Sequence, residues 1–173
     1  MTFPETPKYN GATLTFTMRA TNTITTKDDW DSFANSVNNG VGLNSNVVMT
    51  QDITLSNTSP MVGVDSHRYS GTFEGGSHTL TVDYNGTEAG AAPFHVVQGA
   101  VIKNLRTAGN ISQNAGSDWA EYYVSGLVGF AYGVTIDNCE VDVSVMFSRR
   151  DEKFFGGFVG NANDMAANIT NCK

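Results

Sequence analysis

Two stretches repeat one pattern and decide the fold: GLVGFAYGVTIDNC from Gly126 to Cys139, and GFVGNANDMAANITNC from Gly157 to Cys172. A third copy, APFHVVQGAVIKNL, runs from Ala92 to Leu105. The copies recur at a spacing of about 31 to 34 residues. A period of this length is typical of a solenoid, in which each repeat forms one turn that packs on the next.

Equivalent positions of the three copies carry similar residues. In chain order these are an apolar residue of the first strand (Phe94, Leu127, Phe158), an isoleucine (Ile102, Ile136, Ile169), an asparagine (Asn104, Asn138, Asn171) and a residue of buried type (Leu105, Cys139, Cys172). In a parallel β-helix such residues lie above one another, about 4.8 Å apart. We therefore predict an internal isoleucine stack. The asparagines are predicted to form a bend, because Asn tolerates left-handed backbone angles and its amide can hydrogen-bond along the stack.

The segments that flank the repeats extend this prediction. After the second bend, Val141, Val143 and Val145 should point inward, and Glu140, Asp142 and Ser144 toward water. Before the repeats, period-two alternation predicts a half-buried strand over Ala12–Arg19. An amphipathic helix should follow, capped near Thr26, with Trp30, Phe33, Ala34 and Val37 at helical spacing and its end at Asn38–Gly40.

The fold class predicted from these patterns is mainly β, a parallel β-helix with a short N-terminal capping helix. Residues 1–40 would form the N-terminal strand and helix. Residues 41–173 would form the rungs, with repeats that start near residues 92, 125 and 156.

The repeats resemble a known family, the GLUG-motif β-helix repeats of large bacterial cell-surface proteins, which also occur beside some immunoglobulin-A-cleaving metallopeptidases. Gly126–Gly129 and Gly157–Gly160 fit its Gly-apolar-small-Gly signature, and an Ile-x-Asn-Cys segment follows each. Tyr69–Leu80 and Val47–Leu55 are similar to rungs of right-handed β-helices. The resemblance implies right-handed coiling and an extracellular or cell-surface setting, and it supplies no catalytic residue. The copy at Ala92 departs from the motif because it lacks the flanking glycines.

Composition and chain ends narrow the class of protein. A net charge of -7 and the lack of a basic run make nucleic acid an unfavourable partner. No apolar stretch approaches the ~18 residues of a membrane span. The start lacks the features of a secretory signal. Because the chain stops at Lys173, directly after a bend, we expect a piece of a longer exported protein, truncated at its C-terminus, or end-to-end self-association.

The sequence contains no evident catalytic constellation, cofactor motif or metal motif. His67, His78 and His95 are scattered, and His78 is expected to have a structural role. Carboxylate pairs for glycoside hydrolysis could be sought among the helix acids Asp28, Asp29 and Asp31, or at Glu140 and Asp142. The first group is better explained as first-turn acids and the second as outward strand positions. For Cys139 and Cys172, buried thiols are favoured over a disulfide.

Loops between rungs are the most favourable places for a binding site. Trp119, Tyr122 and Tyr123 put aromatic rings next to acids, and Arg149 and Arg150 lie in a charged loop flanked by phenylalanines. The rings of Trp119, Tyr122 and Tyr123 either contact a glycan or host protein or cover the end of the hydrophobic stack. The sequence thus favours a non-enzymatic spacer or adhesin. The alternatives are a fragment of a carbohydrate-active enzyme, such as a polysaccharide lyase, and a non-catalytic repeat of a surface peptidase.

Overall fold

Parallel pairing of strands one repeat apart builds the fold in the computed structural model, which describes residues 21–87, 90–114, 122–147, 153–163 and 165–173. The elements in chain order are β1 (Thr21–Ile24), α1 (Lys27–Asn38), β2 (Asn46–Met49), β3 (Ile53–Thr54), β4 (Thr72–Glu74), β5 (Thr79–Gly86), β6 (Gly90–Ala91), β7 (Phe94–Lys103), β8 (Arg106–Gln113), β9 (Tyr122–Ser125), β10 (Val128–Asp137), β11 (Glu140–Phe147), β12 (Lys153–Gly156), β13 (Val159–Ala162) and β14 (Ala167–Thr170). The strand predicted over Ala12–Arg19 lies outside these residues.

The strands form three parallel sheets. The first contains β1, β2, β4, β7 and β10 in that order, and both β13 and β14 pair with β10. The second contains β3, β5, β8 and β11, and the third contains β6, β9 and β12. Neighbouring strands of one sheet belong to successive repeats, so the chain forms a β-solenoid of about three turns. This confirms the predicted mainly β class with parallel stacking.

The isoleucine stack is present in the first sheet. Ile102 pairs in register with Ile136, and Ile136 pairs with Ile169. The same ladder continues from Ile102 to Phe73 and from there to Val47. Ile102 and Ile136 are fully buried, whereas Ile169 is 43% exposed. Ile169 is more exposed because the described structure places a ladder neighbour on only one side of it.

The strand register corrects one equivalence. Phe94 pairs with Val128, and Val128 pairs with Val159. Grouping Phe94 with Leu127 and Phe158 was therefore wrong by one residue. Leu127 and Val128 are both fully buried, the first in the turn before β10 and the second within it. Hydrophobicity alone does not distinguish two adjacent buried positions, whereas backbone pairing does.

The asparagine bend separates the first sheet from the second, and all three asparagines have left-handed backbone angles as predicted, with φ of 53° at Asn104, 51° at Asn138 and 55° at Asn171. The Asn138 side-chain amide donates to Oδ1 of Asn104 at 2.7 Å, and the Asn104 amide donates to the Glu74 carboxylate at 2.8 Å. Asn171 departs from this ladder, because its amide donates to Oδ1 of Asp137 at 2.9 Å. The side-chain ladder therefore covers two of the three positions.

After the bend, β11 has the predicted alternation. Val141, Val143 and Val145 are half-buried, and Asp142 and Ser144 are exposed. Glu140 is half-buried rather than fully solvated, and it forms ion pairs with Arg106 and Lys173. Burial of the valines is incomplete because β11 is the outermost described strand of the second sheet.

Helix α1 packs against aromatic residues of the solenoid interior. It begins after Thr26, which forms a capping box with Asp29, and it buries Trp30, Phe33, Ala34 and Val37. The Trp30 ring contacts Phe73 and Phe94 edge-on, with centroids 5.9 and 5.7 Å away. The helix thus shares one hydrophobic cluster with the rungs. The helix prediction is confirmed, and the proposed domain boundary near residue 40 stays a prediction.

Candidate functional site

Of the five residues predicted to bind a ligand, the structure describes the side chain of one. Tyr123 lies on β9. Tyr122 begins that strand, and its backbone pairs with Lys153 of β12. Trp119, Arg149 and Arg150 lie outside the described residues. The site is therefore built outward from Tyr123.

Tyr123 points away from the solenoid interior. Its neighbour Val124 is fully buried in a small core cluster with Ala91 and Ile111. Because successive strand residues face opposite sides, Tyr123 lies on the outer face. Phe154 of β12 pairs with Tyr123 in register, and the two rings stack with centroids 5.5 Å apart. Phe154 is 41% exposed, so this stack presents aromatic surface to solvent.

Two rings of β10 continue this surface. The Phe130 ring contacts Tyr123 edge-on, at a centroid distance of 4.6 Å, and contacts Tyr132 at 4.9 Å. Phe130 itself is largely buried between them, with 8% exposure. Asn161 pairs with Phe130 in register on β13, which places an amide beside the rings. Aromatic and amide groups together suit a partner with both apolar and polar faces.

The guanidinium group of Arg68 lies at one end of this row of rings. Arg68 lies over the Tyr132 ring, with Cζ 3.5 Å from the ring centroid, and its Nε donates to the backbone oxygen of Asp65 at 3.1 Å. This cation–π contact fixes the side chain against the ring. We call the contiguous row the outer aromatic strip, and its members are Arg68, Tyr132, Phe130, Tyr123 and Phe154.

The outer aromatic strip runs into a polar depression at its Arg68 end. The depression has a volume of about 500 Å³, and it is lined by Leu43, Asp65, Ser66, Arg68, Ser70 and Gln98. Gln98 pairs in register with Tyr132, which joins the depression to the strip. An apolar platform beside convergent hydroxyl, amide and charged groups is the composition of a ligand site.

Four of the five acidic residues considered for catalysis form other contacts. Asp142 accepts from Arg106 Nη2 at 2.8 Å, and Glu140 lies 3.1 Å from Lys173 Nζ. On the helix, Asp29 accepts the backbone N–H groups of Thr25 and Thr26, which holds the pKa of its carboxyl below the usual value. Asp31 pairs with Lys27. Asp28 and Asp29 lie in the first turn of the helix, as predicted, and Asp29 caps it.

Two further carboxylates lie at the asparagine bend. Hydrogen bonds from Thr170 and Asn171 hold the pKa of Asp137 below its usual value. Partial burial opposes ionisation of Glu74, but hydrogen bonds from Asn104 and neighbouring groups outweigh it and lower the pKa of that carboxyl. Both groups are stabilised as carboxylates.

The cysteines are stacked at the bend and unpaired. The backbone N–H of Cys139 donates to Sγ of Cys172 at 3.4 Å, and both residues are free thiols. Burial raises the pKa of the Cys139 thiol to about 11. His78 lies 3.3 Å from an Asp52 oxygen. Within the described ranges, no three His, Cys, Asp or Glu side chains form a group that could hold a metal ion.

No family model matches this sequence, and no curated protein or solved structure is significantly similar to it. Membership in the GLUG-repeat family therefore stays a prediction from the sequence resemblance. In the part of the chain that the structure covers, no helix is long and apolar enough to cross a membrane.

Sequence reasoning found Tyr123 but missed most of the outer aromatic strip. Phe130 and Tyr132 lie within the second copy of the repeat but are not among its recurring residues. Arg68 comes from a segment more than sixty residues earlier in the chain. A signal was available for Phe154, which the sequence placed in the second loop. Phe154 lies 31 residues after Tyr123, the same spacing as Gly126 and Gly157, so extending the repeat by a few residues toward the N-terminus places it beside Tyr123, as the pairing of β9 with β12 shows.

Proposed function

We propose that this chain is a non-catalytic, surface-displayed β-helix module that binds glycan through the outer aromatic strip. The observation that carries the proposal is the exposed stack of Phe154 on Tyr123, continuous through Phe130 with the Tyr132–Arg68 pair. Aromatic faces bind the apolar faces of sugar rings, and neighbouring amides and charges bind their hydroxyl groups.

Mechanically, the solenoid acts as a stiff spacer. Each turn is joined to the next by parallel ladders, and the like-on-like interior stack fixes the register. A shallow outer site of this kind gives weak single contacts, and several such sites on one cell surface bind with high avidity.

The setting of the module follows from the resemblance to GLUG repeats. We propose right-handed coiling, a place in a longer exported bacterial protein and display at the cell surface. A host surface protein is a second possible partner for the same strip, since aromatic residues and arginine also dominate protein contacts. End-to-end pairing of molecules stays a prediction.

The alternative function, a fragment of a polysaccharide lyase, requires a basic residue that faces the substrate. Lys103 of β7 and Arg106 of β8 are basic residues of the rungs, and each is paired with carboxylates: Lys103 is 3.4 Å from Glu74, and Arg106 contacts Asp142 and Glu140. The module of a surface peptidase remains compatible with glycan binding, because such a repeat would have no activity alone.

The test is a glycan-array and host-matrix screen of three proteins. These are the wild type, a strip variant (Tyr132→Ala, Phe154→Ala) and a loop variant (Trp119→Ala, Arg149→Ala, Arg150→Ala), matched for unfolding temperature. We expect glycan binding by the wild type and the loop variant and its loss in the strip variant. Equal binding by wild type and strip variant would overturn the site, and binding to matrix proteins alone would overturn the ligand class. The absence of all binding would leave a passive spacer.

A further inference from the structure

The Arg68 guanidinium differs from the other cations that the structure describes. Lys27, Lys103, Arg106 and Lys173 each lie within ion-pair distance of a carboxylate. Of the five Lys and Arg side chains that the structure describes, at residues 27, 68, 103, 106 and 173, Arg68 alone has no such partner. It is also half-buried, in a chain whose net charge is -7. A positive charge kept unpaired among so many acids is available to an external anion.

The geometry of Arg68 prepares it to receive a carboxylate. The Tyr132 ring supports the plane of the guanidinium at 3.5 Å, and the Asp65 carbonyl takes up the Nε–H group. The N–H groups of the two Nη atoms remain available for a ligand. They form a planar fork that can donate two parallel hydrogen bonds to a carboxylate. Because the side chain is already held, less conformational entropy is lost when an anion binds.

The surroundings of Arg68 fit a sugar rather than a bare anion. Ser66, Ser70 and Gln98 line the depression next to it and can hydrogen-bond to hydroxyl groups. The Asp65 carboxylate lines the same depression without forming an ion pair with Arg68. It can accept hydrogen bonds from hydroxyl groups. The adjoining rings supply the apolar platform.

Building on the proposed glycan binding, we infer that the preferred ligand is an acidic glycan whose carboxylate binds Arg68 while its sugar rings stack on the outer aromatic strip. Uronic acids and sialic acids both provide a carboxylate on a pyranose ring, and the experiment separates them.

The test uses pairs of ligands that differ only in charge: an oligogalacturonate and its methyl ester, and sialyllactose and its methyl ester. Biolayer interferometry measures the binding of the wild type, Arg68→Gln, Arg68→Lys and Phe154→Ala. Lys103→Gln is the matched control, because it removes one positive charge outside the strip. Thermal unfolding establishes that each variant is folded.

We expect the wild type to bind one acid roughly 10- to 100-fold more tightly than its ester, which is the range for a hydrogen-bonded charged pair. The acid that shows this preference identifies the source. Arg68→Gln should abolish the preference, Arg68→Lys should reduce it and Lys103→Gln should preserve it. Equal binding of acid and ester by the wild type, with both lost in Phe154→Ala, would overturn the carboxylate inference and leave glycan binding intact. A preference that survives in Arg68→Gln would also overturn it. Failure of every protein to bind any glycan would refute the proposed function and this inference with it.

Discussion

Separate alanine substitutions at Ile136 and Ile169 compare one residue type at two burial levels within one ladder. Ile136 is fully buried and Ile169 is 43% exposed, and the two are paired in register. Each substitution removes three carbon groups, worth about 0.8 kcal/mol each when fully buried, or roughly 2.4 kcal/mol. At Ile136 a cavity adds to this, so the free energy of unfolding should fall by about 3 to 4 kcal/mol.

At Ile169 little more than half of the side chain is removed from water, and a solvent-open site leaves no closed cavity. The expected loss there is about 1 to 1.5 kcal/mol. Met146→Ala is the control, because Met146 is 59% exposed and a surface change should stay within about 0.5 kcal/mol.

Urea unfolding followed by far-UV circular dichroism measures these losses. Fluorescence in a Trp119→Phe background provides a second probe, since Trp30 is then the sole tryptophan and lies in the buried aromatic cluster. Coincident transitions would establish that one cooperative unit unfolds. Equal losses at the two isoleucines, or a larger loss at Ile169, would refute the described stacking and burial.

Four further outcomes follow from the bend and the strands beyond it. Asn138→Ala should destabilise the fold by about 1 to 2 kcal/mol and Asn138→Gly by less, since glycine adopts the left-handed φ of 51° freely, and comparison of unfolding temperatures checks this order. Gly109→Ala should lower the unfolding temperature severely, because an added Cβ would lie 2.1 Å from the Val82 carbonyl oxygen; a small shift would contradict that approach. The pKa of Asp137 is lower in the folded than in the unfolded chain, so its stabilising effect is present above its usual value of 3.8 and is lost as pH falls through the folded pKa; Asp137→Asn should flatten the acid limb of a stability–pH curve. Iodoacetamide at pH 8 should modify Cys172 before Cys139, whose thiol pKa is raised to about 11 by burial, and mass spectrometry of tryptic peptides reads the order.

The stacked ladders could be predicted from the sequence because a solenoid places equivalent residues in equivalent surroundings. Ile102 and Ile136 pair in register, and the three bend asparagines share one backbone conformation. Where a copy is degenerate, the same reasoning failed by one residue, as at Phe94. The side-chain ladder also ends early, because an acceptor on Asp137 competes for the amide of Asn171.

The candidate site could be predicted only in part because one of its segments lies before the copies of the repeat. Tyr123 and Phe154 lie 31 residues apart, the same spacing as Gly126 and Gly157, and they meet through the pairing of β9 with β12. The contact of Arg68 with Tyr132 joins a rung segment to a later strand. The copies of the repeat begin at Ala92, so the period does not reach Arg68, and its proximity to Tyr132 depends on the path of the earlier turns.

Glycan-array binding of Phe154→Ala beside Phe155→Ala tests the outer aromatic strip most directly. The two residues are adjacent on β12 and similarly exposed, at 41% and 50%, but they face opposite sides of the strand. Phe154 stacks on Tyr123 in the strip, whereas Phe155 contacts Phe147 at a centroid distance of 5.3 Å. We predict that Phe154→Ala loses the glycan signals of the wild type and that Phe155→Ala keeps them. Equal loss in both variants, or retention in Phe154→Ala, would contradict a binding site on the outer face.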